Sequence, residues 1–159
     1  MKEIASFTVD HLKLLPGVYV SRKDEIGWEI VTTFDIRMTR PNFEPIMNTA
    51  ELHSLEHLAA TYLRNHTEFG DKIVYFWPMG CRTWCYLLLK WDFESKDIIV
   101  LLIELYTFMK EFKDAVPWAT AKGCWCYLDH NLPMANYISK KFLEEVLLKI
   151  TDEQLNYPS

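Results

Sequence analysis

The stretch EIVTTFDIRM, residues 29–38, alternates apolar and polar side chains and is rich in β-branched residues. A period of two predicts a strand with one face buried and the other facing polar surroundings. Working outward, three shorter apolar stretches also predict strands, at residues 18–20, 72–76 and 85–89. The sequence therefore predicts a sheet of about four strands.

Three helices are predicted around this sheet. The first spans about residues 50–66 and follows a proline-punctuated loop. Ser95 is expected to cap a second helix over residues 96–112, whose apolar side chains recur at helical spacing. Asn131 precedes a third helix, because Pro133 is favoured in a first turn. Segregated strands and helices predict an α+β fold, with an antiparallel sheet covered by helices.

The length and composition restrict the class of protein. A chain of 159 residues suits a single domain, residues 1–159, that can bury a core without disulfides or structural metals. A net charge of −5 without a basic stripe argues against a nucleic-acid partner. No apolar run approaches the length of a bilayer span, so no membrane partner is expected.

Four cysteines lie at positions 81, 85, 124 and 126, without the even spacing of a disulfide framework. The N-terminus also lacks the apolar core of a signal peptide. We therefore expect reduced thiols in a cytoplasmic protein. Such thiols are available as metal ligands or nucleophiles.

The stretch HSLEH, residues 53–57, lies on the first predicted helix. At about 100° per residue, His53 and His57 lie within about 40° of each other, and Glu56 flanks them. Two neutral imidazoles can begin a tetrahedral metal site, which still needs a third protein ligand and an open position. The order of residues is the inverted form of the His-Glu-x-x-His zinc motif. On this motif alone, two solvated helix histidines remain an alternative.

Two cysteine-containing stretches offer partners for this motif. PMGCRT, residues 78–83, places Cys81 between two predicted strands, where Gly80 is expected to free the backbone and Arg82 to favour a thiolate. GCWCYLDH, residues 123–130, offers Cys124 as a soft third ligand. For each cysteine taken alone, a packing role is the favoured interpretation. His130 and His66 are interpreted as loop or helix-end histidines.

In order along the chain, HSLEH, PMGCRT and the Cys124-x-x-Tyr127 pattern resemble the three hallmark segments of the S-ribosylhomocysteine lyase (LuxS) family. SFTVDH, residues 6–11, and FDIR, residues 34–37, resemble two further segments of that family. The resemblance runs from about residue 4 to the third helix. Five segments in the right order make it specific.

The resemblance implies one divalent metal ion per subunit, iron(II) with zinc or cobalt as substitutes. His53, His57 and Cys124 would hold the ion. Cys81 and Glu56 would form the acid/base pair.

The resemblance also implies a homodimer with sites at the subunit interface, where Ser6, His11 and Arg37 would bind substrate. The reaction would cleave the thioether of S-ribosyl-L-homocysteine by carbonyl migration and β-elimination. Its products would be L-homocysteine and 4,5-dihydroxy-2,3-pentanedione, the precursor of the quorum-sensing signal autoinducer-2.

Two alternatives remain open at this point. One is an inverted-motif metallopeptidase, in which Glu56 would activate water. The other is a catalytically impaired metal-binding homologue, because Trp84 and Trp125 stand where family members usually carry glycine and could narrow the pocket. Cys126 stands where family members commonly carry asparagine, and it is interpreted first as a bystander and second as a competing ligand.

Overall fold

A four-stranded antiparallel sheet with the strand order β1-β2-β4-β3 forms one layer of the fold. The structure is a computed structural model and describes residues 8–158. The strand predicted at residues 29–38 is confirmed as β2, one of the two central strands. Both of its faces are buried from Thr32 to Arg37, so the expectation of a single buried face was wrong. The strands are β1 (Gly17–Ile26), β2 (Glu29–Arg37), β3 (Ile73–Pro78) and β4 (Trp84–Lys90).

The first strand is longer than its apolar core predicts. β1 pairs with β2 from Gly17, opposite Arg37, to Ile26, opposite Glu29. Gly27, at φ 65°, occupies the left-handed conformation in the turn between the two strands. The half of β1 nearest the turn is largely exposed and lacks apolar alternation. The strand continues there because its backbone pairs with β2.

Three helices complete the fold: α1 (Thr49–Arg64), α2 (Ile99–Glu111) and α3 (Leu132–Glu145). They bury one hydrophobic core with the sheet, in which Phe34 and Leu87 of the strands and Leu58 and Leu105 of the helices are fully buried. The predicted α+β class is confirmed. Within residues 8–158, none of the helices has the length and apolar character needed to cross a membrane.

Ser95 does not cap the second helix, so that prediction was wrong. A 3-10 turn over Ser95–Ile98 precedes α2, and Glu94 is its capping residue. The Glu94 backbone N–H donates to Asp97 Oδ2 at 2.7 Å as part of a capping box. The cap is therefore one residue earlier than the predicted Ser95. The Ser95 hydroxyl instead donates to the Leu155 carbonyl at 2.9 Å and ties the C-terminal segment to the core.

Helix α3 begins directly after Asn131, as predicted, and Asn131 is its capping residue. Its side-chain Oδ1 accepts the Met134 N–H at 3.2 Å. Its backbone N–H lies 3.1 Å from the Ala50 carbonyl and 2.9 Å from Ser54 Oγ, both in the first turns of α1. The loop that leads into α3 is thereby held against α1, next to the HSLEH segment.

Candidate metal and thiol sites

Helix α1 presents His53 and His57 one turn apart, with ring centroids 4.7 Å apart. His53 Nδ1 lies 2.9 Å from the Asp129 carbonyl, and His57 Nδ1 lies 2.7 Å from the Pro117 carbonyl. A carbonyl oxygen only accepts hydrogen bonds, so each Nδ1 carries the proton and each Nε2 keeps a free lone pair. Both rings therefore hold the tautomer that a metal ligand needs.

The loop between α2 and α3 delivers Cys124 to the same place. The Gly123 and Cys124 backbone N–H groups donate to the Thr120 carbonyl at 3.0 and 2.9 Å. A Cβ on Gly123 would come within 2.9 Å of the Trp118 carbonyl oxygen, so this tight turn requires glycine. Trp118 itself occupies the left-handed region at φ 61°. This turn fixes the position of the thiol.

The donor atoms have the spacing of a metal site. Cys124 Sγ lies 3.4 Å from His53 Nε2 and 3.7 Å from His57 Nε2. In a tetrahedral site with metal–sulfur bonds of about 2.3 Å and metal–nitrogen bonds of about 2.0 Å, such pairs stand roughly 3.5 Å apart. The residues therefore fit a small divalent ion with nitrogen and sulfur ligands.

His130 is the residue that the sequence analysis missed. Its Nε2 lies 3.8 Å from Cys124 Sγ, and its ring stacks on His53 with centroids 4.0 Å apart. The four residues His53, His57, Cys124 and His130 have ligand atoms within 4.8 Å of one another. Only the spacing of six residues from Cys124 could have pointed to His130.

A count of hydrogen-bond donors assigns the tautomer of His130. Ser54 Oγ donates its one hydrogen to the Ala50 carbonyl at 2.9 Å. It must then accept from His130 Nδ1, which lies 3.2 Å away. Burial lowers the pKa of His130 to about 4, and the neighbouring His53 and His57 act in the same direction. His130 thus turns an unprotonated Nε2 toward the other three donors.

Glu56 lies in the same cavity as the three predicted ligands. This cavity has a volume of about 410 Å³ and is lined by His53, Glu56, His57 and Cys124. Glu56 is half-buried, so its carboxylate remains within reach of solvent and of a bound molecule. We call this space the metal-side cavity.

Cys81 lies in a different cavity, of about 580 Å³, which we call the thiol-side cavity. His11, Arg37 and Trp84 also line it. The structure thus brings together Cys81 and two of the predicted substrate-binding residues. The third, Ser6, lies outside the residues that the structure describes.

The conformation around Cys81 differs from the prediction in one respect. The left-handed residue of the bend is Arg82, at φ 61°, whereas a Cβ on Gly80 would meet no atom within 4 Å. The expectation for Gly80 was therefore wrong. The Arg82 N–H donates to the Met79 carbonyl at 2.8 Å, and this turn leaves the Cys81 side chain exposed.

A buried ion pair supports the thiol-side cavity from within the sheet. Arg37 pairs with Asp35 at 2.5 Å and donates to Thr83 Oγ1 at 2.8 Å. The Tyr157 hydroxyl donates to the same Asp35 oxygen at 3.0 Å, while the Tyr157 ring stacks on Tyr19. Burial raises the pKa of Asp35 to about 6, because it outweighs the opposing effects of Arg37 and Tyr157.

Cys85 carries a buried thiol on β4. Burial raises its pKa well above the usual value, and the charges of Glu56 and Cys81 raise it further. Cys85 itself is inert, because burial keeps it a neutral thiol.

Trp84 and Trp125 are placed differently. Neither adopts the left-handed backbone conformation for which glycine would be needed. Trp84 is half-buried within the thiol-side cavity, whereas Trp125 is fully exposed at the edge of the metal-side cavity. Trp84 therefore fills space in the cavity of Cys81, whereas Trp125 borders the cavity of Glu56 from an exposed position.

Comparison with known proteins agrees with these observations. The sequence profile of the family described as S-ribosylhomocysteinase (LuxS) matches residues 4–153. The S-ribosylhomocysteine lyase of Clostridium beijerinckii is 63% identical over 159 residues, 100% of both chains. Those of Clostridium acetobutylicum (60%, 99% of both chains) and Phocaeicola vulgatus (56%, 100% of this chain and 99% of the relative) are also similar. The chain therefore belongs to the S-ribosylhomocysteinase (LuxS) family.

Proposed function

We propose that this chain cleaves the thioether of S-ribosyl-L-homocysteine to give L-homocysteine and 4,5-dihydroxy-2,3-pentanedione, the autoinducer-2 precursor. Family membership supports carbon–sulfur lyase activity and does not favour the metallopeptidase or the impaired homologue. The observation that carries the proposal is the convergence of His53, His57 and Cys124 beside Glu56 in one cavity.

The metal in this proposal is iron(II), for which zinc or cobalt can substitute. His53, His57 and Cys124 would hold it, because two imidazoles and a thiolate suit these ions and do not suit the hard ions Mg²⁺ and Ca²⁺. His130 would lie beside these three residues, with its Nε2 turned toward Cys124. When bound, the ion supplies positive charge that stabilises the negative charge developing on the sugar oxygens.

Cys81 and Glu56 would move the protons. The Cys81 thiolate would take a proton from the carbon next to the carbonyl and return it to the neighbouring carbon, which shifts the carbonyl from C1 through C2 to C3. Glu56 would shuttle the hydroxyl protons that these shifts require. In the last step Glu56 would take the proton from C4, next to the C3 carbonyl, so that a C4–C5 double bond forms as the bond between C5 and sulfur breaks. The electron pair leaves with sulfur, and Glu56 gives its proton to the sulfur to complete homocysteine.

Substrate binding is assigned to Ser6, His11 and Arg37. His11 and Arg37 line the thiol-side cavity with Cys81, which supports this assignment. The buried Arg37 is held by Asp35 and Thr83, so its guanidinium can offer a fixed positive charge to the substrate.

We also propose that the chain forms a homodimer in which the metal-side cavity of one subunit meets the thiol-side cavity of its partner. The two halves of the acid/base pair line separate cavities within one chain, which supports this arrangement. Two large apolar side chains that line the metal-side cavity are also exposed: Trp118 and Trp125. Patches of this kind mark protein interfaces.

The proposal further treats residues 1–159 as one lyase domain in a cytoplasmic protein. The family match over residues 4–153 and the shared core support one domain. The four cysteines are free thiols, which supports a reducing compartment.

Release of free thiol from S-ribosylhomocysteine tests the proposed function. Protein purified without oxygen and loaded with iron(II) or cobalt(II) is expected to release homocysteine, whereas a Cys81→Ala variant with the same metal content is expected to release almost none. A loaded wild-type protein that releases no thiol over a long incubation would overturn the proposal. Chelator-sensitive cleavage of peptides would support the metallopeptidase instead.

A further inference from the structure

We propose that Trp84 is a positioning residue for Cys81, whose indole N–H fixes the sulfur and stabilises its thiolate form. The inference rests on the proposed function, because it concerns the residue assigned to carbon-bound protons. It concerns a position where the family resemblance leads one to expect glycine, which has no side-chain donor.

The first observation is a direct contact. Trp84 Nε1 donates to Cys81 Sγ at 2.7 Å. An indole N–H can only donate, and a thiolate accepts hydrogen bonds more strongly than a thiol does. This contact therefore favours the ionised form of the sulfur.

A second donor converges on the same atom. Thr83 Oγ1 lies 3.3 Å from Cys81 Sγ and accepts a hydrogen bond from Arg37 at 2.8 Å. Because Arg37 supplies that hydrogen, the hydroxyl hydrogen of Thr83 is free to point at the sulfur. Two neutral donors thus face Cys81 Sγ from its own loop and strand.

The indole is held on two sides. The Arg37 guanidinium lies 4.3 Å from its ring centroid, and the Tyr86 ring contacts it edge-on at 4.2 Å. Arg37 is itself fixed by the buried Asp35. The donor is therefore preorganised, and its hydrogen bond to the sulfur costs little side-chain entropy.

Trp84 leaves the sulfur accessible. Cys81 is exposed and lines the thiol-side cavity together with His11. The indole occupies one acceptor direction of the sulfur while the cavity remains open to a sugar. Trp84 therefore acts through Cys81 and need not touch the reacting atoms.

The test is a Trp84→Phe variant, which keeps an aromatic ring under Arg37 and removes the N–H. The rate of Cys81 alkylation by iodoacetamide is measured across pH, with the modified cysteine identified by peptide mass spectrometry. We expect the pH midpoint of alkylation to move upward by about one unit. Trp77→Phe is the matched control, because Trp77 contacts Tyr86 in the same aromatic cluster and should leave the midpoint unchanged. Coincident midpoints for Trp84→Phe, Trp77→Phe and wild type would overturn the inference.

A second measurement follows the Trp84 indole N–H directly in the wild-type protein. In protein labelled with ¹⁵N-tryptophan, the Trp84 Nε1–H resonance should shift with the same pH midpoint as Cys81 alkylation, and Cys81→Ala should abolish that shift. A resonance insensitive to pH would contradict the inference. Neither readout needs turnover, so a failure of thiol release would refute the proposed function without deciding this inference.

Discussion

The metal-side and thiol-side cavities are built in different ways. On the metal side, main-chain carbonyls fix the rings of His53 and His57, and a glycine turn fixes Cys124. On the thiol side, a series of side chains reaches Cys81 from inside the sheet: Tyr157, Asp35, Arg37 and Trp84. Backbone support makes the first cavity depend on the predicted ligands and on their neighbour His130, whereas side-chain support makes the second sensitive to each member of the series.

On the metal side, substitutions of the two neighbouring cysteines Cys124 and Cys126 should differ most in metal content and activity. Cys124→Ala should lose the metal and lower kcat/KM by about 10³-fold or more, because several kcal/mol of charge stabilisation are lost. Cys126→Ala is the matched control, since Cys126 is exposed and lies two residues away. Metal analysis and thiol release check both variants. Equal metal loss in the two would contradict the ligand assignment.

On the thiol side, Cys81→Ala should lower kcat by about 10²- to 10⁴-fold, the range of a lost general acid or base. The metal content should stay at the wild-type value, because Cys81 lines the other cavity. Glu56→Gln, in the metal-side cavity, should likewise lower kcat and leave the metal content unchanged. If either variant lost its metal in anaerobic preparations, the division of roles between the cavities would be wrong.

A substitution of His130 tests whether this residue is a metal ligand or only a neighbour of the ligands. His130→Ala should keep the metal with an affinity lowered by about 10- to 100-fold, the usual cost of removing a group that orients a ligand. His53→Ala should lose the metal entirely. Metal content after dialysis against a graded series of chelator concentrations checks both variants. Indistinguishable metal loss would make His130 a fourth ligand.

A smaller effect, on the free energy of unfolding, is expected from the buried Asp35 that pairs with Arg37. Folding raises the pKa of Asp35 to about 6. Between about pH 4 and pH 6, the folded state therefore holds a proton on Asp35 that the unfolded state has lost. The Asp35 contribution to the free energy of unfolding therefore falls as pH rises from about 4 to about 6, and stays at its lowest above that.

Tyr157→Phe removes the hydrogen bond to that carboxylate. At pH 7.5, where Asp35 is ionised, the free energy of unfolding should fall by roughly 1.5–3 kcal/mol, and by less at pH 5. Urea denaturation at the two pH values measures the difference. Tyr137→Phe is the control, because its ring is exposed on α3. A loss independent of pH would contradict the assignment of charge to Asp35.

The sequence anticipates the metal side better than the thiol side, for a physical reason. Helical spacing places His53 and His57 together, and the family resemblance adds Cys124. The position of His130 depends on how the loop before α3 is tied to Ser54, which no local pattern encodes. The contact between Trp84 and Cys81 depends on a bend whose left-handed residue is Arg82, where a glycine would have been the ordinary signal.

We propose that the two cavities complete one active site across a dimer. Cys81→Ala and Cys124→Ala chains carrying different affinity tags can be co-expressed, and the heterodimer isolated through both tags. In a two-fold dimer with shared sites, one site of the heterodimer is intact and the other carries both substitutions. We predict about half the wild-type rate of thiol release from S-ribosylhomocysteine, as expected for one intact site of two. A heterodimer as inactive as either parent variant would contradict the account.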